Sequence, residues 1–146
     1  MGTIKEFHLF AGIGGGIYGG HILGHSCCGA VEINDFCKEV LEQRQQDGWM
    51  DSFPIYGDIS TLPGRDFKGA FVARGQNISE KNLWPEMLRF VWESEAPIVF
   101  AENVTLNAIR TAAMDLESIG YRVKYCKLSC GDLGADHRRD RYWLLA

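Results

Sequence analysis

The chain has 146 residues, 46% of them hydrophobic, and carries a net charge of −4 at pH 7, with a pI near 5.5. That is enough for one domain with its own core, spanning 1–146, and too little for two, while the acidic balance excludes a global positive field drawing the chain onto nucleic acid. The longest apolar runs, Ala96 to Ala101 and Tyr142 to Ala146, fall far below the roughly 18 residues of a membrane span, and Met1 to Glu6 has no secretory signal, so a cytoplasmic protein with no membrane contact is expected.

In chain order, residues 4 to 10 alternate loosely and run into Gly12, Gly14, Gly15 and Gly16, as a buried strand entering a glycine-rich turn would. A helix from Ile17 to Leu23 follows, ended by Gly24, and Gly29 to Ile33 reads as a second strand carrying Glu32 at its end. Asn34 is placed to cap a helix whose stripe is Phe36, Val40 and Leu41, closed by Gly48. Ile55 to Ile59 is a weak third strand, and 60–69 a polar loop. Asn82 is placed to cap a helix with Pro85 in its first turn and Leu88, Val91 and Trp92 facing inward.

Ile98 to Ala101 is a continuous apolar run, expected of a strand buried on both faces, and it delivers Glu102 and Asn103 at its end. Thr105 caps the next helix, spaced as Leu106, Ile109, Ala113 and Leu116 up to Gly120. Tyr121 to Tyr125 and Arg141 to Ala146 close the list of strands. Strands alternating with helices predict an α/β, doubly wound sandwich with a mainly parallel sheet.

Ligands of such folds bind outside the carboxyl ends of the strands, where the glycine turn, Glu32, Asp58 and Glu102 all fall. Glycines let a backbone approach a ligand closely, and Glu32, twenty positions beyond Gly12, can accept two ribose hydroxyls. A tight turn with no ligand is the alternative, since Gly12-x-Gly14-Gly15 is not the dinucleotide fingerprint. Asp58 can accept from an adenine amino group or serve as a turn aspartate beside Gly57. A carboxylate at Glu102, directly after a buried strand, is costly to desolvate without a partner or a substrate. The five cysteines, Cys27, Cys28, Cys37, Cys126 and Cys130, are odd in number and irregularly spaced, which predicts reduced thiols. Cys27 or Cys28 with His21 and His25 lacks the paired spacing of a zinc site, so no metal is expected. The one dense basic cluster is His137-Arg138-Arg139-Asp140-Arg141.

Phe10-Ala11-Gly12-Ile13-Gly14-Gly15 resembles the cofactor-binding motif of the DNA cytosine-5 methyltransferases, and further elements follow in that family's order. Val31-Glu32-Ile33-Asn34 is similar to its ribose-binding acid, Gly57-Asp58-Ile59 to its adenine-binding aspartate, and Asn82-Leu83-Trp84 to its helix after the catalytic loop. Glu102-Asn103-Val104 and His137 to Arg141 are similar to its substrate-base glutamate and its arginine motif. The resemblance covers His8 to Ala146 and implies S-adenosylmethionine as cofactor, DNA as partner and a Rossmann-like methyltransferase fold in three layers. It implies Glu102, Arg139 and Arg141 at the flipped cytosine, whose carbon 6 the family attacks with a cysteine thiolate.

The chain departs from that pattern in three places. The family's Pro-Cys dipeptide, expected between Asp58 and Asn82, is absent: 65–69 passes directly into Ala70-Phe71-Val72-Ala73-Arg74-Gly75-Gln76, as though one central strand and the nucleophile loop were missing or replaced. The run Ala70 to Ala73 is expected to fill the gap. His8 stands where the family commonly has Asp, and the chain is expected to lack the target-recognition domain and closing helix that the family carries beyond its arginine motif. The expectation is therefore a methyltransferase-like chain that binds cofactor but does not catalyse alone. The alternatives are a non-catalytic binding or regulatory module, one half of a split enzyme whose second chain supplies the catalytic loop and recognition domain, or a methyltransferase of another substrate.

Overall fold

A computed structural model describes residues 3–74 and 83–146. Seven strands form one sheet: β1 (Lys5–Leu9), β2 (Ser26–Val31), β3 (Ile55–Tyr56), β4 (Phe71–Arg74), β5 (Val99–Asn103), β6 (Lys124–Ser129) and β7 (Asp140–Leu145). Their order across the sheet is β3-β2-β1-β4-β5-β7-β6. The first five in that order are parallel, and β7 is antiparallel to both β5 and β6. Among the described residues four helices connect them: α1 (Gly15–Ile22), α2 (Asp35–Gln46), α3 (Trp84–Ser94) and α4 (Leu106–Ser118).

The place beside β1 is filled. Strand β4 lies parallel between β1 and β5, with Val72 opposite Phe7 on one side and Val99 on the other. The run Ala70 to Ala73 thus takes the central position expected of it. A fully buried β-branched residue such as Val72 fits a site where neighbouring strands lie within about 5 Å on both sides.

Alternation along the strands divides the core in two. Phe7, Leu9, Val31, Val72, Val99, Ala101 and Leu144 face α3 and α4, meeting Met87, Phe90 and Val91 from the first and Ile109, Ala113 and Leu116 from the second. On the opposite face Ala30 packs with Ile17 of α1, Leu41 of α2, and Met50 and Phe53. Among the described residues that second face is only half covered. Over β5, β7 and β6 the register puts Phe100, Trp143, Leu145, Cys126 and Leu128 on it, and Leu145 is 52% exposed.

Two inward-facing assignments are corrected. Phe36 is 68% exposed, and Leu41 is the fully buried residue of α2, because the helix turns its first apolar position away from β2. Trp92 is 67% exposed, and α3 buries Met87, Phe90, Val91 and Ser94 instead. Two apolar stripes compete on α3, and the one containing the fully buried Phe90, stacked on Phe7 at 5.0 Å between centroids, faces the sheet. The caps hold at Asn34, which accepts from Cys37 N–H at 3.1 Å, and at Thr105, which accepts from Ala108 N–H. The cap expected of Asn82 lies outside the described residues. The polar loop after β3 contains two 3-10 turns, Ile59–Thr61 and Gly64–Phe67. The sixth strand starts three residues later than expected, at Lys124.

Candidate functional site

The carboxyl ends of β1 to β5 open along one edge, and the expected site residues gather there. The turn after β1 is tightly wound: Phe10, Gly12 and Gly14 all have positive φ, at 56°, 56° and 88°. Phe10 is one of two non-glycine residues with positive φ among those described, a strained conformation that surrounding structure must hold in place. Gly14 favours glycine, since its φ of 88° strains any other residue and a Cβ there would lie 2.6 Å from Met50 Cε and 2.7 Å from Leu41 Cδ2, forcing those side-chain ends to shift. Ala11 N–H donates to Val31 O, Gly14 N–H to Ala11 O, and Arg44 reaches across from α2 to the carbonyl of Ile13.

Glu32 ties this turn to α2. One carboxylate oxygen accepts from Gly12 N–H at 2.7 Å and the other from Asn34 N–H at 2.8 Å, at 5% exposure. Each oxygen has two acceptor positions, so one on each remains for a ligand hydroxyl. Ile33 follows with its side chain in solvent. Asp58 caps the first 3-10 turn by accepting from Ser60 N–H at 2.8 Å, and Ile59 is buried in the larger core. Around Gly12 and Gly15 an added Cβ would meet nothing within 4 Å. The open cradle there and the remaining acceptors on Glu32 fit a bound nucleoside with a short polar tail.

Further along the same edge, Glu102 at the end of β5 meets Arg141 of β7, Nε to Oε1 at 2.6 Å, both nearly buried. The contact is an ion pair and not an aligned hydrogen bond, because Nε–H does not point at the oxygen. The antiparallel return of β7 brings them together: Asn103 pairs with Tyr142, which places Arg141 just beyond Glu102. Arg139 lies outside this pair, exposed in the basic turn with its N–H on Ser129 Oγ at 3.3 Å.

Of the cysteines, Cys126 is aligned with Glu102, two strands away through Trp143. Cys27 and Cys28 lie in the first half of β2, at the other end of the sheet, where burial pushes the Cys27 thiol up to about 12 and raises that of Cys28. Cys37, in the first turn of α2, is also raised by burial. Such thiols hold little thiolate at neutral pH. Cys126 and Cys130 lie on β6 and in the turn after it.

One cluster escaped the sequence reading. Glu6, buried under α1, binds His8 Nε2 at 2.9 Å and His25 Nδ1 at 2.6 Å. Burial raises the Glu6 pKa, but the hydrogen bonds and charges of the two histidines outweigh it and hold the carboxyl below its usual range. Glu6 and His8, two apart in a strand otherwise apolar on that stretch, were the available signal; His25 comes from a distant turn. With His25 engaged by Glu6, Cys27 Sγ on Gly29 O and Cys28 Sγ on Glu6 O, that region forms no metal group among the described residues.

Sheet order, helix placement and a cofactor-type edge define a Rossmann-like methyltransferase fold. The chain belongs to the C-5 cytosine-specific DNA methylase family, whose model matches residues 4–146. It is 30% identical to the type II methyltransferase M.HgiCII of Herpetosiphon aurantiacus over 99% of its length and 37% of that protein's. To the type II methyltransferase M.MspI of Moraxella sp it is 25% identical, over 97% of its length and 38% of that protein's. The chain therefore spans well under half of these relatives. Among solved structures, S. pombe Dnmt2 methyltransferase superposes with a TM-score of 0.78 at 20% identity, covering 97% of this chain and 48% of that one, a likeness of fold.

Proposed function

We propose that this chain is the cofactor-binding portion of a DNA cytosine-5 methyltransferase, that it binds S-adenosylmethionine, and that it does not complete methyl transfer alone. The observation that supports this best is Glu32, a nearly buried carboxylate holding the glycine turn and the start of α2 together beside the open space at Gly12 and Gly15. In this reading Glu32 accepts the ribose hydroxyls and Asp58 the adenine amino group. Ile33 covers the base, Ile59 borders it with main chain, and Phe10 to Gly15 line the methionine end. The cofactor supplies an electrophilic methyl group.

On the DNA side, Glu102 would hold the cytosine ring nitrogen and amino group, with Arg141 fixing its carboxylate and Arg139 at the rim near the phosphates. The family's covalent step needs a thiolate on carbon 6 of cytosine. No Pro-Cys dipeptide occurs in the sequence, and burial disfavours the thiolates of Cys27, Cys28 and Cys37. Calorimetric titration with S-adenosylmethionine should show saturable binding, and labelled methyl should not reach DNA. No binding by the folded chain would overturn the cofactor assignment, and transfer to cytosine would overturn the catalytic one.

A further inference from the structure

The cleft depends on a turn that its own strand barely anchors. Strand β3 has two residues, and its ladder to β2 stops at Val31 opposite Tyr56, two positions short of Asp58. Past that point the chain is held from the other side of the molecule, by Arg89 of α3. Its Nη2 donates to Ile59 O at 2.6 Å and to Leu62 O at 3.2 Å, and Nη1 donates to Leu62 O at 3.2 Å. Two carboxylates from the same helix fix the guanidinium, Glu86 at 2.9 Å and Glu93 at 3.0 Å. Glu93 then accepts Gly64 N–H at 2.7 Å, closing a second tie to the same segment. Desolvation would lower the Arg89 pKa, but its hydrogen bonds to Glu86 and Glu93 raise it, so the group stays charged.

We propose that Arg89 is a positioning residue for the adenine end of the cleft: by clamping the carbonyls of Ile59 and Leu62 it sets where the Asp58 carboxylate stands. The planar guanidinium spans two carbonyls and two carboxylates at once, which a lysine ammonium cannot reproduce. A residue that acted on stability alone would weaken every ligand of the cleft equally. Arg89 acts through Asp58, so its effect is confined to ligands that use Asp58. This inference rests on the cofactor reading above.

The test is a calorimetric double-mutant cycle on the full chain with S-adenosylhomocysteine, and with its inosine counterpart, which lacks the adenine amino group. The proteins are wild type, Asp58→Ala, Arg89→Met and the double variant. Arg89→Met is expected to weaken S-adenosylhomocysteine about tenfold, to add little once Asp58 is gone, and to leave the inosine counterpart nearly unchanged. Wild-type affinity in Arg89→Met, an equal loss for both ligands, or a loss that adds in full to that of Asp58→Ala would overturn the proposal. If Arg89→Met does not fold, Glu93→Gln, which loosens the clamp from its far side, is read in the same cycle against the same criteria. Failure of the wild-type chain to bind S-adenosylhomocysteine would overturn the cofactor reading and this inference with it, whereas binding that is indifferent to Arg89 would overturn the inference alone.

Discussion

Replacing Glu32 by Gln changes one oxygen into an amide nitrogen at constant shape. In the native chain each oxygen accepts a backbone N–H, at 2.7 and 2.8 Å, and the side chain is nearly buried. The glutamine oxygen can keep one of these, while its NH2 then faces the other N–H, donor against donor. Hydrogen bonds to a charged group contribute about 1.5–3 kcal/mol each. Losing one, weakening the second and orienting two donors together should cost about 2–4 kcal/mol. At about 3 °C per kcal/mol for a domain of this size, the melting temperature should fall by roughly 6–12 °C. Thermal melts by circular dichroism measure it directly. A ligand at one hundred times its Kd adds about 2.7 kcal/mol to the native state, so S-adenosylmethionine should raise the wild-type melting temperature by about 8 °C on the same scale and leave Glu32→Gln almost unmoved. A variant within about 0.5 kcal/mol of wild type would refute the reasoning that Glu32 holds the turn. It also follows that loss of ligand in a Glu32 variant is evidence of a ribose contact only when the melt shows the turn intact.

Gly14→Ala should destabilise by about 2–4 kcal/mol, from its left-handed φ and the overlap with Met50 and Leu41, whereas Gly15→Ala, facing open space, should leave the chemical denaturation midpoint unchanged and weaken cofactor binding. Phe90→Ala should cost about 3–5 kcal/mol and Trp92→Ala less than about 1 in urea unfolding, reversing the order that residue size suggests. The folded-state pKa of Glu6 is depressed, so its contribution is fully present above the unfolded value of about 4.5 and is lost as pH falls through the lower folded value. The stability gap between wild type and Glu6→Gln should therefore narrow as pH falls below about 4.5; a gap that does not narrow in acid would show that the two histidines do not hold the carboxylate.

Much of the site was legible because backbone chemistry repeats along the chain. A strand, a run of glycines and an acid some twenty residues on predict a strand-end cleft from local rules alone, and Phe10 to Gly15, Glu32, Asp58 and Glu102 do share one edge. Asn34 and Thr105 cap as their side chains dictate, since a cap needs only the next three residues. The absent Pro-Cys was visible as a plain fact of sequence.

Helical faces were less legible, because Phe36 and Trp92 are as apolar as the residues buried in their place, and periodicity does not say which of two overlapping stripes meets the sheet. The pairing of Glu102 with Arg141 depends on β7 running antiparallel beside β5, and the clamp of Arg89 on Ile59 and Leu62 joins positions about thirty apart. His25 and His8 meet on one buried carboxylate only because β2 follows α1 back alongside β1. The sequence by itself determined the order of elements, the glycine turn and the set of acids at the strand ends, since these follow from local conformational preference and the alternation of burial. Which helix face is buried and which cation meets which carboxylate were decided by tertiary structure, because those energies arise only when distant segments are packed and desolvated together.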